Sequence, residues 1–182
     1  MIEKNLFIRN NIKIKNLQGK ISKKFEKILQ DIKNDFENNH KTLNVLSKNF
    51  EFSFNFKDLN KFKKFKTLAF IGIGGSILGS EALYNFFQKK IKKKAYFLND
   101  LDENQVLKLK KNENLSKVLF IIISKSGNTI ETLSNVFSLN VIKKNSKNII
   151  LISEKKDNHL YFLSKKLNLF YIEHKNYIGG RY

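Results

Sequence analysis

The sequence predicts an α/β protein: a three-layer sandwich with a mostly parallel five-stranded sheet, preceded by an N-terminal helical segment. Two observations predict this fold. From Thr67 onward, short apolar runs alternate with helical patterns, as in parallel sheets buried on both faces. Before Thr67, the clearest periodicity is that of one amphipathic helix. We therefore expect a helical lead-in at residues 1–65 and an α/β domain at residues 66–182.

The N-terminal helix is predicted from a single apolar face, with Ser22 near its start. Its apolar residues are Ile21, Phe25, Ile28, Leu29, Ile32 and Phe36. Residues 40–65 show no clean period. Alternating phenylalanines at positions 50, 52, 54 and 56 leave two alternatives there, a short strand or an extended aromatic anchor.

Five apolar runs are the predicted strands, and a helical pattern follows each of the first four. The strands are expected at 68–71, 95–98, 118–123, 149–152 and 169–172. The helices are expected at 77–88, 103–110, 129–142 and 159–166. Strands that alternate with helices form parallel sheets with helices on both faces.

Composition narrows the class of protein. The net charge of +19 is compatible with nucleic-acid binding. However, the lysine clusters fall at the carboxyl ends of predicted helices, where cations interact favourably with the helix dipole. We therefore expect no specific nucleic-acid partner. Cysteine is absent, which excludes disulfides and thiolate zinc sites. The longest mostly apolar stretch, 68–79, is shorter than the ~20 residues that span a bilayer, and no secretory signal begins the sequence. We expect a cytoplasmic protein with no membrane partner.

Two polar loops each follow a predicted strand and precede a predicted helix. They are Gly72-Ile73-Gly74-Gly75-Ser76 and Ser124-Lys125-Ser126-Gly127-Asn128-Thr129. Helix N-termini present unpaired N–H groups to anions, and ligands of such sheets bind beyond the carboxyl ends of the strands. If strands 67–71 and 118–123 are neighbours, the two loops can close on one anion from two sides.

The first loop does not complete either common nucleotide-binding motif. The dinucleotide fingerprint needs glycine at Ile77, and the P-loop needs lysine at Ser80. Two alternatives remain for Ser76: a ligand of a monophosphate at the helix start, or a plain N-cap with glycines that allow tight packing.

The second loop supplies three hydroxyls, from Ser124, Ser126 and Thr129, and Gly127 can adopt the positive φ of an anion-binding nest. We expect Lys125 to contribute its backbone amide more than its amine.

Residues 128–131 also resemble a capping box, with Asn128 as N-cap and Glu131 at the third helical position, which would make Glu131 structural. The three histidines, His40, His159 and His174, are expected to be ordinary surface or packing residues.

These two loops, followed by Gly179-Gly180-Arg181-Tyr182, resemble three successive motifs of the glucose-6-phosphate isomerase (phosphoglucose isomerase) family. The loops alone resemble the wider sugar isomerase (SIS) superfamily. The resemblance covers most of the chain from Thr67 onward. It implies a Rossmann-like SIS domain that isomerises glucose 6-phosphate and fructose 6-phosphate through a cis-enediol, in glycolysis and gluconeogenesis, without a metal or nucleotide cofactor.

The resemblance also assigns roles to individual residues. It implies phosphate binding by Ser76, Ser124, Lys125, Ser126 and Thr129, substrate contacts at Gly75 and Gly180, and catalysis by Arg181. A fixed guanidinium stabilises negative charge that develops on the enediolate oxygens.

The family's proton-transferring glutamate, ring-opening histidine and late lysine match positions beyond Tyr182. We therefore expect the N-terminal portion of a longer enzyme, with no turnover by the 182 residues alone. The resemblance also implies that the full-length enzyme is a homodimer. One alternative is a non-catalytic SIS-domain protein that binds or senses a sugar phosphate, for which Arg181 would have no use. Another is a basic nucleic-acid-binding module, which a steep salt dependence of binding would reveal.

Overall fold

The structure is a computed structural model that describes residues 15–38 and 41–179. The chain divides into two compact units, one ending at Phe50 and the other beginning at Glu51. The domain boundary expected after residue 65 stays a prediction.

The regular elements confirm the predicted alternation of strands and helices. The helices are α1 Lys15–Glu37, α2 Gly75–Phe86, α3 Glu103–Asn112, α4 Ile130–Leu139 and α5 His159–Leu167. The strands are β1 Thr67–Ile71, β2 Lys94–Leu98, β3 Val118–Ile123, β4 Ile149–Ser153 and β5 Phe170–Glu173. Short 3₁₀ helices cover Thr42–Leu46, Phe56–Phe62 and Leu115–Lys117.

The five strands form one sheet in the order β2-β1-β3-β4-β5, and every neighbouring pair is parallel. At the carboxyl end of β1, Ile71 stands opposite Leu98 of β2 on one side and Ile122 of β3 on the other. The chain runs from β1 to β2 and then crosses back over β1 to β3. Such a reversal is the topological switch point at which ligands bind in sheets of this class.

Helices α3, α4 and α5 cover one face of the sheet. Leu109 of α3, Val136 of α4 and Leu160 of α5 are almost fully buried in one cluster with strand residues such as Phe120. Each such side chain contributes about 1.5–3 kcal/mol by leaving water. This cluster is the main core of the α/β unit.

The other face is covered by the segment before β1 and by α2. Phe62 and Phe65 pack in a second buried cluster that includes Leu119 of β3. The ring of Tyr84 in α2 lies 5.7 Å from that of Phe97 in β2, centroid to centroid. Helical layers on both faces of the sheet give the predicted three-layer α/β fold.

The N-terminal unit contains the predicted amphipathic helix, which begins before residue 21. The side chain of Asn44 is buried and donates to the carbonyl oxygen of Phe36 over 2.9 Å, which ties the following 3₁₀ helix to the end of α1. The apolar side chains along α1 are exposed: Ile21, Phe25, Ile28, Leu29 and Ile32.

The alternating phenylalanines do not form a strand. Residues 51–55 have no regular structure, and Phe56 begins a 3₁₀ helix. The rings of Phe52, Phe54 and Phe56 instead contact one another with centroids 5.3 to 5.4 Å apart. The short-strand alternative is wrong because ring contacts take the place of ladder pairing here.

Within the described ranges, no helix combines the length and apolar character needed to cross a membrane.

Candidate functional site

A cleft of about 520 Å³ opens at the carboxyl edge of the sheet, where the loops after β1, β3 and β4 meet. Its lining consists of Ile73, Gly74, Gly75, Ser76, Lys125, Ser126, Thr129, Glu154 and Lys156. The structure therefore brings the two predicted loops to one cleft, because β1 and β3 are neighbours in the sheet. It also adds a third loop to them.

The loop after β1 turns directly into α2. Gly74 adopts φ 56° and ψ −129°, a backbone conformation that side chains disfavour, and serves as the N-cap residue. Gly75 begins the helix, and Ser76 lies half-buried in its first turn. No side chain caps this helix, so the plain N-cap alternative for Ser76 is wrong. The amides of Ser76 and Ile77 donate to the carbonyl oxygens of Ile73 and Gly74, over 3.3 and 3.0 Å. The Gly75 amide and the Ser76 hydroxyl are therefore the donors that α2 can offer to an anion.

Three hydroxyls converge in the loop after β3. Ser124 Oγ lies 2.8 Å from Thr129 Oγ1 and 3.4 Å from Ser126 Oγ, and the last two atoms are also 3.4 Å apart. Ser124 is buried, Thr129 is half-buried and Ser126 is exposed. Hydroxyls both donate and accept, so this cluster can turn its protons toward an anion in the cleft.

The start of α5 holds this loop in place. Gly127 has φ 71°, and a Cβ there would lie 1.9 Å from Oδ1 of Asn158. Asn158 is buried, donates to the carbonyl oxygen of Glu154 over 2.8 Å and accepts from the amide of Tyr161 over 2.9 Å. The amide of Leu160 donates to the carbonyl oxygen of Gly127. The loop therefore fits α5 only with glycine at position 127.

The capping box predicted at Asn128–Glu131 is wrong. Helix α4 begins at Ile130 with Thr129 as its N-cap residue and has no side-chain cap. Asn128 Oδ1 instead accepts from the amide of His159 over 2.9 Å and lies 2.7 Å from Nδ1 of that ring. Glu131 is exposed in the first turn of α4, where its negative charge interacts favourably with the helix dipole.

The side chain of Lys125 reaches the segment after β5. Its ammonium donates to the carbonyl oxygens of Asn176 over 2.9 Å and of Ile178 over 2.5 Å. It also lies 3.7 Å from Oε1 of Glu154.

Glu154 joins two lysines on this wall of the cleft. Its carboxylate pairs with the ammonium groups of Lys156 and Lys125. The hydrogen bond from Lys156 holds the pKa of Glu154 below its usual range, although burial of the carboxyl group opposes this shift. One carboxylate between two ammonium groups compensates part of their positive charge on this wall.

Glu154, Lys156 and Asn158 were not predicted from the sequence as residues of the cleft or its supports. The signal was present, because the polar run 154–158 follows the apolar run of β4 as the other two loops follow β1 and β3. Gly180, Arg181 and His40 lie outside the described residues. His174 is half-buried with Nδ1 3.0 Å from the carbonyl oxygen of its neighbour, and the described residues hold no His, Cys, Asp and Glu cluster suited to a metal ion.

Comparison with known proteins gives one family. Residues 21–182 match the phosphoglucose isomerase family. The glucose-6-phosphate isomerase of Borreliella afzelii is 38% identical over 132 residues, which cover 66% of this chain and 24% of the relative. That of Treponema denticola is 37% identical over 126 residues, covering 66% and 24% of the two chains.

A solved structure agrees with these relatives. The crystal structure of a glucose-6-phosphate isomerase from Chlamydia trachomatis matches with a TM-score of 0.58 and 26% identity, covering 68% of this chain and 25% of that one. The chain thus spans about a quarter of the length of the proteins it matches. Because the family match includes both cleft loops and most of the sequence, this chain belongs to the phosphoglucose isomerase family.

Proposed function

We propose that this chain forms the sugar-phosphate-binding part of a glucose-6-phosphate isomerase, an enzyme of glycolysis and gluconeogenesis. The convergence of the Ser124, Ser126 and Thr129 hydroxyls at the start of α4 carries the proposal. Hydroxyls grouped at a helix N-terminus suit the several acceptor oxygens of a phosphate group. Membership of the family supports a sugar phosphate as the anion.

The bound phosphate lies between two helix N-termini in this proposal. The hydroxyl cluster binds it at the start of α4, while the Ser76 hydroxyl and the Gly75 amide at the start of α2 bind it from across the same cleft. Each helix end favours an anion by about 0.3–1 kcal/mol, and more where the site is partly buried. Lys125 contributes its backbone amide, since its ammonium donates to carbonyl oxygens elsewhere. Gly75 presents no side chain to the sugar.

The reacting end of the sugar is assigned to the Gly-Arg motif. Isomerisation of the open-chain sugar passes through a cis-enediol, and negative charge develops on its oxygens as the C–H bond breaks. In this proposal Gly180 contacts the sugar and the Arg181 guanidinium stabilises that charge. A fixed cation aimed at developing charge lowers the barrier more than it stabilises the ground state. The reaction uses neither a metal nor a nucleotide.

Thermal-shift titration of the 182-residue chain tests the binding site. Fructose 6-phosphate should raise the melting temperature more than inorganic phosphate does, and unphosphorylated fructose should not raise it. Ser124→Ala combined with Thr129→Ala should abolish the shift. Ser134→Ala, an exposed serine on α4, is the matched control and should keep it. A shift that survives the double substitution would remove these hydroxyls from the site.

A second assay tests the chemistry. The protein expressed from the complete reading frame should interconvert glucose 6-phosphate and fructose 6-phosphate, and Arg181→Ala should lower kcat by about two orders of magnitude or more. Binding of sugar phosphate without any turnover would favour the non-catalytic SIS-domain alternative.

The homodimer and the cytoplasmic location are further parts of the proposal, and both rest on family membership. Light scattering of the purified full-length protein and cell fractionation test them. A monomer at micromolar concentration, or recovery of the protein in the membrane fraction, would contradict them.

A further inference from the structure

The ammonium of Lys125 has two of its three donors committed within the protein. A lysine has three N–H donors. Two reach the carbonyl oxygens of Asn176 and Ile178, and Glu154 Oε1 lies 3.7 Å from the nitrogen as an ion-pair partner. The side chain is 29% exposed, so a phosphate in the cleft would compete with these partners for the ammonium.

The segment that receives these bonds is a short turn after β5. The amide of His174 donates to the carbonyl oxygen of Ser153 over 2.7 Å, which anchors the start of the segment to β4. The amide of Ile178 donates to the carbonyl oxygen of Lys175 over 3.2 Å and closes the turn. The bonds from Lys125 reach this turn from the phosphate-binding loop, 51 and 53 residues earlier in the sequence.

The backbone of Lys125 is fixed as firmly as its side chain. Its carbonyl oxygen accepts from the amide of Glu154 over 3.0 Å, so the loops after β3 and β4 are joined at this residue. Lys125 therefore links three carboxyl-end segments: its own loop, the loop after β4 and the turn at residues 175–178. In the sequence, that turn leads directly into Gly179, Gly180 and Arg181.

We propose that Lys125 is a positioning residue whose ammonium holds the turn at 175–178 against the phosphate-binding loop, and so fixes the approach to the Gly-Gly-Arg motif. Its effect on catalysis rests on the proposed function, but its effect on the turn does not. Charged donors make the stronger hydrogen bonds, and two of them converge on the turn that the bond from the Ile178 amide to the Lys175 carbonyl oxygen closes. Removing the ammonium should loosen the turn and leave the hydroxyl cluster intact.

Amide hydrogen exchange in the 182-residue chain tests the turn. In Lys125→Met, exchange at the Ile178 amide should rise about tenfold, whereas exchange at the His174 amide, bonded to β4, should change less than about twofold. Lys125→Arg should restore part of the protection because it keeps the charge and several donors. Lys155→Met removes the same charge from an exposed side chain nearby and should leave both amides unchanged.

Two functional measurements separate positioning from direct phosphate binding. Inorganic phosphate should bind Lys125→Met within about twofold of the parent affinity. In the complete enzyme, Lys125→Met should lower kcat about tenfold and leave KM within about twofold, because the ground-state phosphate contacts remain.

A large loss of phosphate affinity with unchanged Ile178 exchange would overturn the proposal and make the ammonium a phosphate ligand. A parent enzyme without isomerase activity would refute the proposed function, yet the exchange result would still decide the role of Lys125 in the turn.

Acetylation of the unsubstituted chain covers the case in which Lys125→Met does not fold. Under native conditions the amine of Lys125 should react about tenfold more slowly than that of Lys155, because its lone pair becomes available only after its hydrogen bonds open. Inorganic phosphate should not slow it further. Equal rates for the two lysines, or protection that appears only with phosphate, would overturn the proposal.

Discussion

Replacing Gly127 with alanine tests how closely the loop after β3, the proposed phosphate-binding loop, is fitted to α5. The left-handed φ of 71° costs a non-glycine residue about 1–2 kcal/mol. The new Cβ would lie 1.9 Å from Oδ1 and 2.2 Å from Cγ of Asn158, and overpacking of this kind costs about 1–3 kcal/mol. Asn158 cannot move aside without losing its bonds to Glu154 and Tyr161. The free energy of unfolding should therefore fall by about 2–5 kcal/mol.

Gly79→Ala is the matched control for this substitution. Gly79 lies inside α2, and a Cβ built there meets no atom within 4 Å. Alanine is favoured over glycine within a helix by about 1 kcal/mol, so the same chemical change should raise stability. Urea unfolding followed by far-UV circular dichroism measures both effects. The thermal shift with inorganic phosphate should disappear in Gly127→Ala and persist in Gly79→Ala.

A free energy of unfolding for Gly127→Ala within about 0.5 kcal/mol of the parent, together with retained phosphate binding, would contradict this prediction. That result would mean that α5 moves away from the loop at little cost. The bonds of Asn158 and the Leu160 amide would then contribute little to the shape of the site.

Three further predictions concern Asn158, Glu113 and the start of the α/β unit. Asn158→Ala should lower the free energy of unfolding by about 2–4 kcal/mol in urea and weaken the phosphate shift, because it removes a helix cap and a buried amide. The hydrogen bond from Lys94 holds the pKa of Glu113 below its usual range, although burial of the carboxyl group opposes this shift. The stabilisation by Glu113 is therefore complete above its unfolded pKa of about 4.3, and it is lost as pH falls through the folded pKa. Urea unfolding should show a shallower acid loss in Glu113→Gln, and an unchanged slope would contradict this. A chain that starts at residue 51 should unfold cooperatively. A chain that starts at residue 66 should not, because it lacks Phe62 and Phe65. Equal melting temperatures of the two shortened chains would support the boundary after residue 65.

The strands could be predicted because burial on both faces leaves a direct trace in the sequence. The apolar run at 68–71 is strand Thr67–Ile71, and the run at 118–123 is β3 itself. The ends of the helices were harder to predict from the sequence. The helix predicted to continue to residue 142 stops at Leu139 because Asn140 adopts a left-handed C-cap with φ 52°. An isolated asparagine gives no unambiguous stop signal, since other asparagines in this chain lie inside helices.

The geometry of the cleft could be predicted where the contacts are local in the sequence, and it was missed where the contacts are distant. The hydroxyls of Ser124, Ser126 and Thr129 stand within six consecutive residues, so the loop itself indicates their convergence. The partner of Asn128 is His159, 31 residues away, and no local pattern distinguishes that contact from a helix cap. Similarly, the carbonyl partners of Lys125 became evident only once β5 was placed beside β4.

The positive charge of the chain and the anion site are largely separate features. Of the 35 lysines and arginines, only Lys125 and Lys156 line the cleft within the described chain, and both pair with Glu154. Attraction for a phosphate in the cleft therefore comes mainly from hydroxyls, amides and helix dipoles, which a rigid backbone holds in place. Such groups recognise one compact anion at close range, whereas binding to a polyanion depends on many free cations and is strongly weakened by salt. Under the proposed function, phosphate affinity should accordingly change much less with ionic strength than nucleic-acid binding would, because the hydroxyl cluster and not the net charge of +19 would select the ligand.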